Sequence, residues 1–357
     1  MRFYIRPTRY LQQTHTLFEK VAPIFEQLRV PIHFYKPVRL NMILVTGSMG
    51  QIGIDLVSKL ANIHGADQIV ATDVRPPAPD QLGGVRFTTL DVTDARALDS
   101  ILSENDFDTV YHLAGILSAT GENNPDLCWK VNIEGLEHML KAARSRNFRL
   151  FWPSSIAVFG PATENTSTPQ HAVMDPMTMY GVTKTSGELL CRYYFHKFGV
   201  DVRSIRFPGI ISHVSPPGGG TTDWAVAMFF QALEAGNYSC FVSEDTRLPM
   251  MYMPDAVKSI LDLMEAPSDQ ISVRTSYNLT AFSFSAGELA HSIRAYLPNF
   301  LCSYDPDFRQ EIANAWPSSI DDSIARTDWN WNPEFNLDTM VDDMITEIRK
   351  KPDYLPA

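Results

Sequence analysis

The 357-residue sequence has little of several things, and each shortage excludes a class of function. It has only four cysteines, Cys128, Cys191, Cys240 and Cys302, and none lies close enough to another for the pairings that zinc or redox sites use. Incidental or buried thiols in a reducing compartment are expected. The nine histidines form no ligand-spaced cluster either, so no metal is expected. No apolar run approaches the ~18 residues that a spanning helix needs, which speaks against membrane insertion. Basic residues are outnumbered, 30 against 41 acidic ones, and the net charge of -11 argues against a nucleic-acid partner. Internal repeats and low-complexity tracts are missing as well.

What is present is a composition of 45% hydrophobic and 20% charged residues, that of an ordinary soluble globular protein with a sizeable core. Charge is uneven: residues 1–41 hold Arg2, Arg6, Arg9, Lys20, Arg29, Lys36 and Arg39 against Glu19 and Glu26. That extension reads as a loosely structured arm or an upstream start preceding Met42, which leaves the protein cytoplasmic. The alternative is an organelle transit peptide, which would place it in the mitochondrial matrix.

From Met42 the texture changes. MILVTG is a short β-branched run ending in glycine, and SMGQIGIDLVSKLANIHG has helical periodicity. Strand-like QIVATD, VRFTTLDV, TVYHLAG, RLFWPSS and VRSIRF follow, separated by helical segments near 95–105, 126–146 and 178–198. Strands alternating with helices predict an α/β fold, a doubly wound parallel sheet of the Rossmann type over 42–210. After Pro208 come a flexible SPPGGGTTD loop, a helical AVAMFFQALEAG and a mixed tail. A smaller substrate-binding cap is expected over 211–350, with some segments returning to the first domain.

Gly47, Gly50 and Gly53 in TGSMGQIG sit at the first strand-to-helix junction, where a pyrophosphate needs a sharp turn, close backbone approach and a helix N-terminus. Gln51 and Ile52 share that turn. Asp73, at the end of the next strand, suits the adenosine ribose hydroxyls and repels a 2′-phosphate, which predicts NAD over NADP. Asp91 and Val92 after the third strand are placed for the adenine edge, and Leu113, Ala114 and Gly115 end the fourth strand beside the cofactor. Pro208, Gly209 and Ile210 follow the sixth strand, placed for the nicotinamide.

YGVTK sets Tyr180 and Lys184 one helical turn apart, on one face. A phenol is a poor base near neutrality; a neighbouring ammonium and a positive nicotinamide ring would both favour phenolate. PSSIAVFG supplies a hydroxyl, from Ser154 or Ser155, to orient a substrate oxygen.

With these residues in view, the sequence from Met42 to Pro333 resembles the extended short-chain dehydrogenase/reductase family. It has the G-x-x-G-x-x-G turn, DV at 91–92, Asn132, a serine before V-F-G, Y-x-x-x-K and WNWNP. The family pattern selects Ser155 beside Tyr180 and Lys184 as the catalytic set. It implies that Asn132 supports the sheet or a relay water, unless it is merely a packing residue of its helix.

LAGILSATGE, FPGIISHVSPPGGGTTDWA, LPMMYMPDAV and AWPSSIDDSIARTDWNW resemble the NAD-dependent L-threonine 3-dehydrogenases of this superfamily. That resemblance implies oxidation of L-threonine to 2-amino-3-oxobutyrate without a metal. It implies substrate contacts at Ser118, Ser155, Tyr180, Thr221, Thr222 and Trp316, and pairing as a homodimer through long helices. Asp223 is an alternative helix cap, and Asp322 with Arg326 reads as an intrahelical ion pair. Competing readings are a nucleotide-sugar epimerase or dehydratase and a non-catalytic NAD-sensing regulator. The first needs a basic cap, yet 212–250 offers only Arg247 besides His213. The second has no use for a full Ser, Tyr and Lys set.

Overall fold

The computed structural model describes residues 42–214 and 218–351. The expectations for residues 1–41, and for Ser215–Pro217 of the glycine-rich loop, lie outside the described residues. Among the described residues no helix is long and apolar enough to cross a membrane.

Apolar runs without alternation make strands buried on both faces. β1 (Met42–Thr46) and β2 (Ile69–Asp73) are of this kind; β4 (Phe107–His112), β5 (Arg149–Ser155) and β6 (Val202–Phe207) are mostly buried but carry polar residues, and β3 (Arg86–Thr89) is largely exposed at the edge. A two-residue β10 (Tyr277–Asn278) returns from far along the chain to pair with β6. The seven strands are all parallel, in the order β10-β6-β5-β4-β1-β2-β3. The order reverses direction between β1 and β4, so a crevice opens at the carboxyl ends of those two strands. The doubly wound parallel sheet expected from the alternation is therefore the observed fold.

On one face, α1 (Gln51–His64) and α8 (Met253–Glu265) pack Leu56, Leu60, Ile260 and Leu263 against Val45, Phe151 and Ile205. On the other, α2 (Ala95–Glu104), α5 (Gly135–Arg146) and α6 (Met179–Phe198) cover Leu44, Val110, Leu150 and Trp152. α6 starts where the Thr178 hydroxyl accepts the Gly181 amide at 3.0 Å, and it stops at Gly199, whose φ of 72° lets the chain leave the helix. The helix expected over 126–146 is interrupted. α4 (Pro125–Trp129) passes into α5 through a π-helical turn over Lys130–Glu134, which contains Asn132.

The remaining elements build a third core. β7 (Gly209–Ile211), β9 (Arg247–Tyr252) and β11 (Phe282–Ser285) form a small sheet, and β8 (Asn237–Cys240) pairs with β12 (Leu301–Tyr304). α7 (Trp224–Glu234), α9 (Ala286–Arg294) and α12 (Leu337–Arg349) bury Trp224, Phe229, Ile293 and Met344 among them. α3 (Ser118–Asn123), α10 (Arg309–Asn314) and α11 (Ser323–Trp329) complete the chain. The Asp322–Arg326 pair forms at 2.7 Å, and Asp322 also accepts the Trp331 indole N–H at 3.0 Å.

Candidate active site

The turn after β1 is built for backbone, not side chains. Gly47 has φ +70°, and a Cβ there would lie 2.5 Å from the Ala114 nitrogen, so only glycine fits. Gly50 is the N-cap of α1 without any side-chain cap, and Gly53 faces the Gly47 carbonyl. The N-terminal end of α1 is thus left with its dipole and amides for an anion. Gln51, in the first turn, has a buried Nε2 without a partner among the described residues. Ile52 packs on the core below.

The other expected cofactor residues line the same sheet edge. Asp73 ends β2; its Oδ2 accepts the Met49 amide at 3.0 Å, and its Oδ1 accepts the Arg75 amide at 3.0 Å. Asp91 is exposed after β3, and its Oδ1 accepts both the amide and the hydroxyl of Thr93. Val92 is a core residue, 4% exposed, so any contact with an adenine would come from its backbone. Leu113, Ala114 and Gly115 leave β4 above Gly47, with the Leu113 amide on the Thr46 carbonyl at 3.0 Å. Ile210 lies in β7 opposite Met251. Asn132 is engaged on all sides: its Oδ1 accepts the Ile116 amide at 2.8 Å, and its Nδ2 donates to the Ile116 carbonyl and the Thr183 hydroxyl. It fastens the loop after β4 to α6.

α6 comes unusually near the end of β5. A Cβ on Gly181 would stand 2.2 Å from the Ala157 carbonyl oxygen, so glycine allows the approach that brings Tyr180 to Ser155. The two side chains are close enough for the Ser155 hydroxyl to act on the phenol. Ser154 donates to Glu188 at 2.7 Å, and strand alternation sets it on the face of β5 opposite Ser155. Ser155 also accepts the Ala157 amide at 3.2 Å. Lys184 is 5% exposed, donates to the Pro153 carbonyl at 2.6 Å, and lies 4.6 Å from the Trp152 ring and 5.4 Å from that of Tyr180.

The electrostatics differ from the sequence expectation. Burial pushes the Tyr180 phenol up to about 12, against the pull of the Ser155 hydroxyl. Burial also pulls Lys184 down to about 8. Burial thus disfavours the charged form of both groups. A phenolate at this site requires Lys184 to be held cationic, or a further positive charge beside it.

On the substrate side, Ser118 opens α3 and its hydroxyl lies 3.3 Å from that of Thr221; both are almost fully buried. Residues 103 apart are thus brought together. Thr222 packs against Gly209, where a Cβ would meet its methyl at 2.8 Å. Trp316 is 7% exposed in the third core, the one Tyr180 packs against. It also lines a cleft of about 410 Å³ with Asn165, Ser243 and Gln310, a cleft that includes none of Ser118, Ser155, Tyr180 or Thr221. Asp223 does not cap α7 with its side chain. Its Oδ2 accepts the amides of Gly219 and Gly220 at 2.7 and 2.8 Å, which fixes the loop that presents Thr221.

Sequence reasoning missed Glu188. It is fully buried one turn beyond Lys184 and bound by both Arg206 and Ser154. A carboxylate four residues after the lysine was the available signal.

Residues 43–279 match the model of the NAD dependent epimerase/dehydratase family. The chain belongs to that family. An uncharacterized epimerase/dehydratase of Staphylococcus aureus (strain USA300) is 46% identical over 314 residues, 87% of this chain and 98% of its own length. Among solved structures, L-threonine dehydrogenase from Phytophthora infestans is 49% identical with a TM-score of 0.84, covering 87% of this chain and 99% of its own. A monomeric L-threonine 3-dehydrogenase from a metagenome is 50% identical, also with a TM-score of 0.84 and with the same coverage of both chains. Membership identifies NAD as the cofactor of this short-chain dehydrogenase/reductase fold. The glycine turn, the uncapped helix and the free Gln51 amide fit it.

Proposed function

We propose that the protein oxidises L-threonine to 2-amino-3-oxobutyrate. Bound NAD would supply the hydride acceptor. The observation that carries the reading is Tyr180 beside a buried Lys184, the ammonium 5.4 Å from the phenol ring, with Ser155 ending the neighbouring strand at the sheet edge that the nucleotide turn faces. Tyr180 takes the proton from the substrate hydroxyl while Ser155 holds the same oxygen. The C–H bond at that carbon breaks with its electron pair leaving as hydride, and the C–O bond becomes a carbonyl. The Ser118–Thr221 pair, with Thr222 alongside, offers hydroxyls to the amino-acid end of the substrate, while a contact from Trp316 rests on the resemblance alone, since the cleft it lines includes none of these residues. The β-keto acid formed loses carbon dioxide readily.

We place NAD on Gly47, Gly50, Gln51, Ile52, Gly53 and Asp73, with Asp91, Val92, Leu113, Ala114, Gly115 and Ile210 along the strand ends and Asn132 bracing them. Lys184 and Tyr180 complete the nicotinamide end. The raised Tyr180 phenol makes activity rise with pH for as long as Lys184 keeps its proton.

Exposed Val182, Leu189 and Tyr193 recur at helical spacing along α6, and we infer pairing as a homodimer through that helix, which sedimentation at micromolar concentration tests. The assay for the reaction is NADH absorbance from purified protein with NAD and L-threonine, beside a nucleotide-sugar arm. NADH formation on threonine supports the reading. A turnover of nucleotide sugar without threonine-dependent NADH would replace it with an epimerase or dehydratase.

A further inference from the structure

α3 has only six residues, too few to hold an orientation unaided, so whatever fixes α3 also fixes the Ser118 hydroxyl at its start. Two different elements flank it. Toward the loop that bears Thr221, the Ser118 hydroxyl lies 3.3 Å from that of Thr221. A Cβ on Gly219 would come 3.3 Å from the Thr120 hydroxyl oxygen, and one on Gly218 would come 3.6 Å from the Leu117 side chain. Toward the helix that bears Tyr180, a Cβ on Gly121 would lie 2.9 Å from Cys128 Sγ and 3.8 Å from the Tyr180 Cβ, so glycine lets α3 seat there. α3 thus packs between the substrate loop and the base of Tyr180.

Each end of α3 is tied to α6 by a different group. The chain entering α3 is held through Asn132, which accepts the Ile116 amide at 2.8 Å and donates to the Thr183 hydroxyl at 3.0 Å. At the other end, Glu122 Oε1 accepts the Met179 amide at 2.5 Å, a contact between residues 57 apart in sequence. That amide is the first of α6, directly before Tyr180, and a carboxylate there also meets the positive end of the helix dipole. α6 already has a cap of its own in Thr178, whose hydroxyl accepts the Gly181 amide at 3.0 Å. What Glu122 adds is a bond between two helices. Ser118 and Glu122 are four residues apart and share a face of α3, so the bond made by one sets the direction of the other.

We propose that Glu122 is a positioning residue: by bonding the start of α6 from the end of α3, it fixes the span between the Ser118 hydroxyl and the Tyr180 phenol. A short hydroxy amino acid has to touch both groups at once, and a misplacement of about 1 Å between them is enough to slow its reaction by orders of magnitude. The inference rests on the threonine reading for its substrate.

The test compares full-length Glu122→Ala and Glu122→Gln with wild type. Glutamine keeps an oxygen acceptor for the Met179 amide and alanine does not. Glu122→Ala should lower turnover on L-threonine roughly tenfold and raise the KM for threonine several-fold, while the KM for NAD stays within about twofold. Glu122→Gln should stay within about threefold of wild type in all three. Hydrogen exchange read by mass spectrometry needs no substrate: peptides over 117–123 and 178–182 should exchange at least about fivefold faster in the alanine variant and as in wild type in the glutamine variant. Unchanged kinetics in Glu122→Ala overturn the proposal, as does a KM for NAD that rises as much as that for threonine. A glutamine variant as impaired as the alanine one overturns it too, and so does a variant that cannot fold, which makes Glu122 a fold determinant. Where wild type oxidises no threonine, the threonine reading falls and exchange alone decides: faster exchange over 117–123 upholds the tie between α3 and α6, and unchanged exchange removes it.

Discussion

Replacing Tyr180 by phenylalanine tests the chemistry most directly, because it deletes the phenolic oxygen and leaves the ring in place. With the phenol at about 12, the phenolate fraction at pH 8 is only about one in ten thousand. A cation maintained 5.4 Å from the ring, where Lys184 lies, is worth about 3 kcal/mol at an effective dielectric of ~20, or about two pK units. The fraction then rises to about one in a hundred, with a midpoint near 10. The sign follows from the active form being the deprotonated one: activity is lost as pH falls below that midpoint. Wild-type turnover should therefore climb close to tenfold per pH unit between about 7 and 9. If Lys184 gave up its proton at about 8, the slope would instead break there. Tyr180→Phe should cost roughly a hundredfold to ten-thousandfold in turnover, flatten the profile and leave NAD affinity within about twofold. The assay is single-turnover NADH formation across that pH range, which separates chemistry from product release. Turnover in the variant within tenfold of wild type, or a flat wild-type profile with chemistry limiting, refutes the reasoning.

Asp55 in α1 has a buried Oδ2 without a partner among the described residues, and burial raises it from 3.8 to about 6 despite Lys351 nearby. The folded state then binds more protons between those values, so stability falls as pH rises through that window and levels off above it. Asp55→Asn should stabilise the protein by about 2–3 kcal/mol at pH 8 and by about half that at pH 5, read by urea unfolding; an equal gain at both pH values contradicts the assignment. Asp73→Ser removes the acceptor of the Met49 amide and frees Arg75, whose Nε is 3.5 Å from Oδ1, for a 2′-phosphate. NAD should bind roughly tenfold more weakly and the NADP to NAD preference should rise at least tenfold by titration calorimetry; an unmoved ratio removes Asp73 from the ribose site. Gly47→Ala places a Cβ 2.5 Å from backbone at positive φ, and should destabilise the cofactor-free protein by about 2 kcal/mol or more in thermal unfolding.

The parts of the fold that were legible are those whose signal is local. Apolar strand runs, the glycine turn and the helix bearing Tyr180 each depend on residues within one stretch of chain, and each is where the sequence placed it. β10 was not legible as a strand, because two residues carry no periodicity and Tyr277–Asn278 become a strand only by lying beside β6. The π-helical turn at Lys130–Glu134 was likewise hidden, since what engages Asn132 there is Ile116 and Thr183 from two other elements. Asp223 illustrates a local rule overridden by its neighbourhood. Its position suits a helix cap, yet the amides of Gly219 and Gly220 hold its carboxylate instead.

The candidate site divides along the same line. Spacing puts Tyr180 and Lys184 on one helical face, but their protonation depends on Trp152, Pro153 and Ser155, which arrive from a strand some thirty residues earlier. A reading confined to the helix assigns the lysine a charge and lets it act on the phenol. Burial opposes the charge on both groups, which the helix alone does not reveal. Glu188, one turn further along α6, is held in place by Arg206 and Ser154 from the two strands beneath. The pair recognised in the sequence therefore sits on a helix that a buried ion pair, Glu188 with Arg206, ties to the strands beneath.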